Sequence, residues 1–266
     1  MGGPRRPRRA RPLQPRRGRP RRRRDAALAA EGAAGWRLDV AYAVPTAFWR
    51  DVAARVRAEF PDVVFVGEVI HGDYAGFVSG STLTTVTQYE LWKAIWSSLK
   101  EENLWELAHA IDRHADFCRS FLPQTFVGNH DVSRIATLVG PDLAGIAAFL
   151  LMTLPGVPSV YYGDEQGFTG TKRDQFAGDD EVRPPLPDSP GALSPFGSRL
   201  HAAYRRAIGF RRRHAWLATA EVEVLHRDNR ALFYRCTSGS RWCEVRVDLD
   251  RASIAVVADD EAVSLR

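Results

Sequence analysis

Short apolar runs that end in polar or acidic residues, repeating at intervals of about 30 residues, constrain this chain most. Residues 35–44 (GWRLDVAYAV) form a short apolar run interrupted by Arg37 and Asp39. Residues 63–70 (VVFVGEVI) are β-branched and apolar on both faces, as in a buried parallel strand, and they hold Glu68. Residues 125–131 (TFVGNHD) read as a strand ending in polar residues, and residues 157–163 (VPSVYYG) as another. Asp39 to Glu68 is 29 residues, Glu68 to Asp131 is 63, and Asp131 to Tyr162 is 31. One βα unit of an eightfold barrel takes roughly 30 residues, because about 250 residues make eight units. The intervals are then one, two and one units, and residues 84–89 (TTVTQY) supply a strand in the double gap.

Helical patterns separate the runs. After Thr46, a residue suited to capping, Trp49, Val52, Ala53, Val56 and Phe60 recur at helical spacing until Pro61 stops them. Residues 91–99, 104–121, 143–154 and 200–214 also read as helices. Alternating strands and helices predict a parallel sheet of α/β class, with polar clusters at the strand C-termini, where barrel enzymes keep their chemistry. Beyond about residue 217 the period changes to two. Residues 222–225, 231–236, 243–249 and 254–257 predict a small antiparallel β domain.

Charge is distributed unevenly. The net +5 suggests a nucleic-acid partner, but residues 1–24 alone carry 12 Arg and no Asp or Glu. The other 242 residues hold 25 Lys+Arg against 32 Asp+Glu, a net of −7, so the globular part is acidic. Five Pro and 12 Arg leave Leu13 almost alone as an apolar anchor in that tail, which predicts a segment unable to offset its ordering entropy. The expected organisation is a tail over 1–30, a catalytic α/β domain over 31–216 and a β domain over 217–266. Three cysteines are too few for a disulfide framework, although a Cys236–Cys243 hairpin bridge stays open. There is no uninterrupted run of 18 apolar residues, so a transmembrane helix is not expected. With no apolar segment after the basic start, a cytoplasmic location is the expectation.

Asp39, Glu68 and Asp131 are three carboxylates at three strand ends. Glycoside cleavage needs two carboxylates flanking one bond, one ionised and one holding a proton. Arg37 leaves the same strand face as Asp39 and favours its anion. Val-Phe-Val-Gly before Glu68 predicts an apolar neighbourhood, which suits a protonated acid. Asn129 and His130 flank Asp131 and can donate to sugar hydroxyls. Trp92, Trp96 and Trp105 read most simply as packing residues and, more sharply, as a sugar platform. Tyr161 and Tyr162 sit at a strand end, where a role in the site is expected. Residues 178–181 (GDDE) read as a solvated acidic loop.

The motifs carry the reading further. GWRLDVAYAV resembles the motif of the fourth barrel strand in glycoside hydrolase family 13, the α-amylase family. VFVGEVI resembles the fifth-strand motif, FVGNHDVSRI the seventh and GVPSVYYGDE the eighth, in the family's order. The resemblance implies a partial (β/α)8 TIM-type barrel, units four to eight over roughly residues 33–215, followed by an antiparallel β domain. It implies Asp39 as nucleophile, Glu68 as general acid/base and Asp131 as the transition-state-stabilising acid, with Arg37, His130 and Asn129 in the same subsite. Tyr42, Val44 and His71 stand where the family lines neighbouring sugar subsites. The implied activity is a retaining α-glycoside hydrolase or transglycosylase acting on an α-glucoside or oligosaccharide, with no cofactor and no metal. Neither nucleic acid nor a membrane is implied as a partner.

The family's Asp-x-Val-x-Asn-His motif after the third strand is not found here, and the only Asn-His pair is Asn129–His130. The expectation is therefore an N-terminally truncated member, with roughly 90 residues of barrel upstream of these units and two raw sheet edges. Two other classes follow from the same residues: a non-catalytic, sugar-binding remnant, and a basic-tail nucleic-acid binder on an unrelated α/β domain.

Overall fold

The structure, a computed structural model, describes residues 32–175, 177–259 and 261–265. The expected tail over 1–30 lies outside the described residues. Short parallel strands follow one another as β1 (Gly35–Leu38), β2 (Val64–Gly67), β3 (Thr85–Val86), β4 (Gln124–Thr125) and β5 (Val157–Pro158). β1 pairs with β2, β2 with β3 and β4 with β5, all parallel. A parallel bridge between Thr87 and Gln124 joins the two groups, so spatial order follows chain order. Among the described residues, β1 and β5 each have one strand neighbour. Every strand is shorter than its apolar run. The polar tail of each run leaves the ladder as a loop, which frees its side chains from the sheet's alternation.

Helices α1 (Thr46–Glu59), α2 (Tyr74–Ser81), α3 (Tyr89–Glu101), α4 (Leu104–Cys118), α5 (Ile135–Thr153) and α6 (Ser198–Arg213) fill the connections. α1 buries Trp49, Val52, Ala53 and Val56 against Leu38, Phe65 and Leu83, as the periodicity requires. Thr46 is its first helical residue rather than its cap, with Pro45 before it. α2 was not expected. Its sequence YAGFVSGS is poor in helix formers, and it starts on Asp73, whose Oδ1 accepts the Gly76 N–H at 2.8 Å. α5 begins eight residues ahead of the expected start and is two helical pieces joined at a kink, where Gly140 (φ 78°) is non-helical and Pro141 follows. By length and composition alone α5 is long and apolar enough to cross a bilayer, a test that a buried core helix passes as well. In this fold its second half is core: Ala144 and Ile146 to Leu151 are almost fully buried beside residues of α3, α6 and the C-terminal sheet.

That sheet has strands β6 (Glu221–Arg227), β7 (Ala231–Ser238), β8 (Arg241–Asp248), β9 (Ser253–Ala258) and β10 (Ala262–Leu265), in the order β10-β9-β8-β7-β6. Four were expected. The fifth has four half-exposed residues, too weak a pattern to read. Leu232, Tyr234, Val245, Val247 and Ile254 share one core with α3 to α6, and the alternate residues are more exposed. Cys236 and Cys243 face each other in register, both buried, and both are free thiols, so the hairpin bridge is not formed.

His114 on α4 is fully buried, with Nε2 3.0 Å from the Pro155 carbonyl oxygen. Burial pushes its imidazole down to about 4 from 6.5, against the opposing pull of that carbonyl. The folded chain therefore excludes a proton that the unfolded chain takes up. Stability present above pH 6.5 is lost as pH falls towards 4, by about 3 kcal/mol at the low end. Denaturant titrations of His114→Gln should show a flatter loss over that window. An equally steep loss would contradict the assignment.

Candidate active site

The register of β1 against β2 builds the site. Leu38 stands opposite Gly67, so the next residue of each strand, Asp39 and Glu68, emerges side by side at the strand C-termini. Arg37 is two residues before Asp39 and shares its face. Its Nη1 donates to Asp39 Oδ1 at 2.9 Å and its Nη2 to Glu68 Oε1 at 2.8 Å. The same Nη2 stands 3.9 Å from Asp131 Oδ2, beyond β4. One guanidinium thus faces all three carboxylates. A planar fork with five donors can do this where a point charge cannot.

Each carboxylate has its own surroundings. Glu68 is 4% exposed, yet it does not meet the apolar neighbourhood read from its strand. Neighbours along a strand point to the other face. What faces Glu68 are Arg37, the Val40 N–H (2.8 Å to Oε2) and the Tyr89 hydroxyl (3.3 Å to Oε1). Val40 holds this amide in the left-handed region at φ 50°, a conformation β-branched residues avoid. Asp39 is open, with 67% of its side chain exposed. Asp131 is half-buried. Its Oδ2 lies 3.0 Å from His130 Nε2, and its Oδ1 accepts from Arg183 Nη2 at 2.9 Å.

These groups line a cleft of about 490 Å³. It contains Asp39, Glu68, His130, Asp131 and, on one wall, the exposed ring of Tyr42. His71 is exposed beside Tyr42, with ring centroids 6.1 Å apart, and is not among the residues lining the cleft. Asn129 supports from below: its Oδ1 accepts the Asp131 N–H at 2.9 Å and its Nδ2 donates to Tyr89 Oη at 2.9 Å. Val44 turns inward instead and packs against the α1 core. Trp92 and Trp96 pack on each other, and Trp92 also meets Tyr89 and Phe126. Trp105 is exposed but covered by the Arg227 guanidinium, away from the cleft. Tyr161 and Tyr162 meet edge-to-face and both pack on Arg134 rather than lining the cleft. The acidic loop is paired: Asp179 with Lys172 and Arg183, Glu181 with Arg173.

Sequence reasoning missed Tyr89, Arg183 and the Val40 amide. Tyr89 ends a run read as a strand, and Arg183 follows an acidic loop read as solvated; neither pattern carries a signal of its own. Behind the cleft, the loop after β4 is strapped to the loop after β5. Arg134 Nη1 donates to Asp164 Oδ1 at 2.9 Å with both side chains fully buried. Burial raises Asp164 to about 6, against the pull of that guanidinium. Gly128 makes room for this carboxylate, because a β-carbon there would collide with Asp164 Oδ2.

With that geometry in view, comparison with known proteins places the chain in a class. Residues 26–234 match the family described as alpha amylase, catalytic domain. The chain belongs to this family, glycoside hydrolase family 13. Among its relatives is a cyclomaltodextrinase of Geobacillus thermopakistaniensis, 29% identical over 77% of this chain and 35% of that protein. Another is a 4-alpha-glucanotransferase of Thermotoga neapolitana, 28% identical over 74% of this chain and 49% of that protein. The cyclic alpha-maltosyl-(1→6)-maltose hydrolase of Arthrobacter globiformis shares the fold, with a TM-score of 0.73 at 23% identity over 92% of this chain and 58% of that one. The chain spans half or less of the length of these two sequence relatives.

Gly128→Ala tests the strap. The alanine methyl forces Asp164 away from Arg134, and thermal melts should show a loss of about 1–3 kcal/mol. A change within about 0.5 kcal/mol, ordinary for a surface site, would show that the loop absorbs the methyl.

Proposed function

We propose that this chain carries the catalytic groups of a retaining α-glucoside hydrolase or transglycosylase. The observation that carries the reading is the Arg37 guanidinium bonded to Asp39 and Glu68 at once, with Asp131 lining the same cleft. Two carboxyl groups held on one guanidinium suit the short spacing of a retaining site better than the wide gap that admits a water. Asp39, paired with Arg37 and open to the cleft, is the nucleophile. Glu68, beside it and shielded from solvent, is the acid/base. Glu68 gives its proton to the glycosidic oxygen as the C1–O bond breaks, and the leaving sugar departs as an alcohol. An Asp39 oxygen bonds to C1. Water, or a second sugar hydroxyl, then attacks C1 while Glu68 takes back a proton and Asp39 leaves as a carboxylate.

Asp131 and His130 grip ring hydroxyls at the reacting sugar, and Arg37 holds the Asp39 carboxyl in place. Asn129 acts through Asp131. Tyr42, with His71 beside it, offers an apolar face to the neighbouring sugar. The five parallel strands are units four to eight of the family's barrel, 31–216 forms the catalytic part and 217–266 the β domain. The relatives' names support α-linked glucose oligomers as the substrate class.

One observation favours a second reading, a sugar-binding remnant. The Asp39 side chain is 67% exposed, whereas catalysis gains from excluding water at the nucleophile. A panel of maltooligosaccharides and α-glucosyl fluoride separates the two. The hydrolase reading predicts release of reducing sugar that falls roughly 10⁴-fold or more in Asp39→Asn. It also predicts that Glu68→Gln loses the oligosaccharides but still consumes the fluoride, whose leaving group needs no acid. Saturable calorimetric binding without turnover would favour the remnant.

A further inference from the structure

We infer that Tyr89 is a positioning residue for Glu68: with Arg37 it fills Oε1, and so assigns the transferred proton to Oε2. This deepens the proposed function and rests on Glu68 being its acid/base.

The contacts around Glu68 are set from Asn129. The Asp131 N–H must be accepted by an oxygen, which fixes the amide with Oδ1 towards Asp131 (2.9 Å) and Nδ2 towards Tyr89 Oη (2.9 Å). An amide nitrogen only donates, so the phenolic oxygen accepts there. The single hydroxyl hydrogen is left for the other neighbour, Glu68 Oε1 at 3.3 Å. Oε1 also accepts from Arg37 Nη2 at 2.8 Å. A carboxylate oxygen has two in-plane acceptor sites, and both are now taken. Among the described residues Oε2 accepts only the Val40 N–H, at 2.8 Å, and keeps one site open. A proton on Oε1 would have to displace a charged donor or the hydroxyl, whereas a proton on Oε2 displaces nothing.

The ring is well fixed for this task. Tyr89 is 7% exposed and lies edge-on to Phe126 (4.9 Å) and Trp92 (5.7 Å). Burial pushes its hydroxyl up to about 12, with the Asn129 amide pulling the other way, so it stays a neutral donor. The other charged groups facing this carboxyl are Arg37 and, through it, Asp39 and Asp131 with His130.

Tyr89→Phe removes one oxygen and keeps the ring packing. The hydroxyl hydrogen bonds to the anion of Glu68, so its loss favours the protonated acid. The alkaline limb of kcat/KM should move to higher pH. Loss of a hydrogen bond to a charged group should lower kcat by about tenfold, with KM within about twofold and Tm nearly unchanged. A second readout needs no turnover: the Glu68 carboxyl carbon, labelled with 13C and assigned by its absence in Glu68→Gln, should titrate at higher pH in Tyr89→Phe than in the parent. If the resonance moves while the parent turns over nothing on the panel, the contact stands and the hydrolase reading fails. If the resonance and the alkaline limb both stay in place, the role assigned to Tyr89 is wrong.

Discussion

The Arg37 guanidinium is the interaction on which the site depends. Two of its nitrogens hold Asp39 and Glu68, and it also stands close to Asp131. Three carboxylates around one pocket would repel one another without a fixed cation among them. The strand register sets up the arrangement before any loop contributes, because Leu38 opposite Gly67 places the following acids as neighbours. A lysine would balance the charge but offers no flat fork to orient two carboxyl planes.

Around that centre the support is a circuit. Val40 gives an amide to one oxygen of Glu68, and Tyr89 gives a hydroxyl to the other. Asn129 ties Tyr89 to Asp131, and Arg183 reaches Asp131 from the loop after β5. That loop is anchored in turn by the buried Arg134–Asp164 pair, with Tyr161 and Tyr162 packed on the guanidinium. Buried pairs of this kind contribute specificity of position more than net stability, since desolvation consumes most of the Coulombic gain. The apolar mass beneath, α3 to α6 under the antiparallel sheet, gives the loops a rigid base.

Much of this was legible in residues alone. The periodicity of Trp49 to Val56 marked α1, and the period-two runs after residue 217 marked most of the β sheet. The strand-end acids were legible because a parallel sheet repeats at a fixed interval, and the pocket does gather Asp39, Glu68 and Asp131. What escaped was set by contacts between distant segments. Glu68 looked apolar from its own strand, but its partners come from β1, its loop and α3. Tyr89 and Arg183 carry no local signature, and their importance comes from what they face 21 and 52 residues away. α2 escaped because a single Asp73 cap outweighs poor propensity, and the start of α5 because the kink at Gly140–Pro141 separates its first turns from the apolar run.

One guanidinium holding a nucleophile and an acid/base together is a proposal that covalent chemistry can test. The most direct measurement is covalent trapping: Glu68→Gln incubated with α-glucosyl fluoride, followed by mass spectrometry of the intact chain and of its peptides. One added anhydroglucose, carried by the peptide containing Asp39, is the expected result. An adduct on a different carboxylate, or fluoride consumed with no adduct at Asp39, would contradict it.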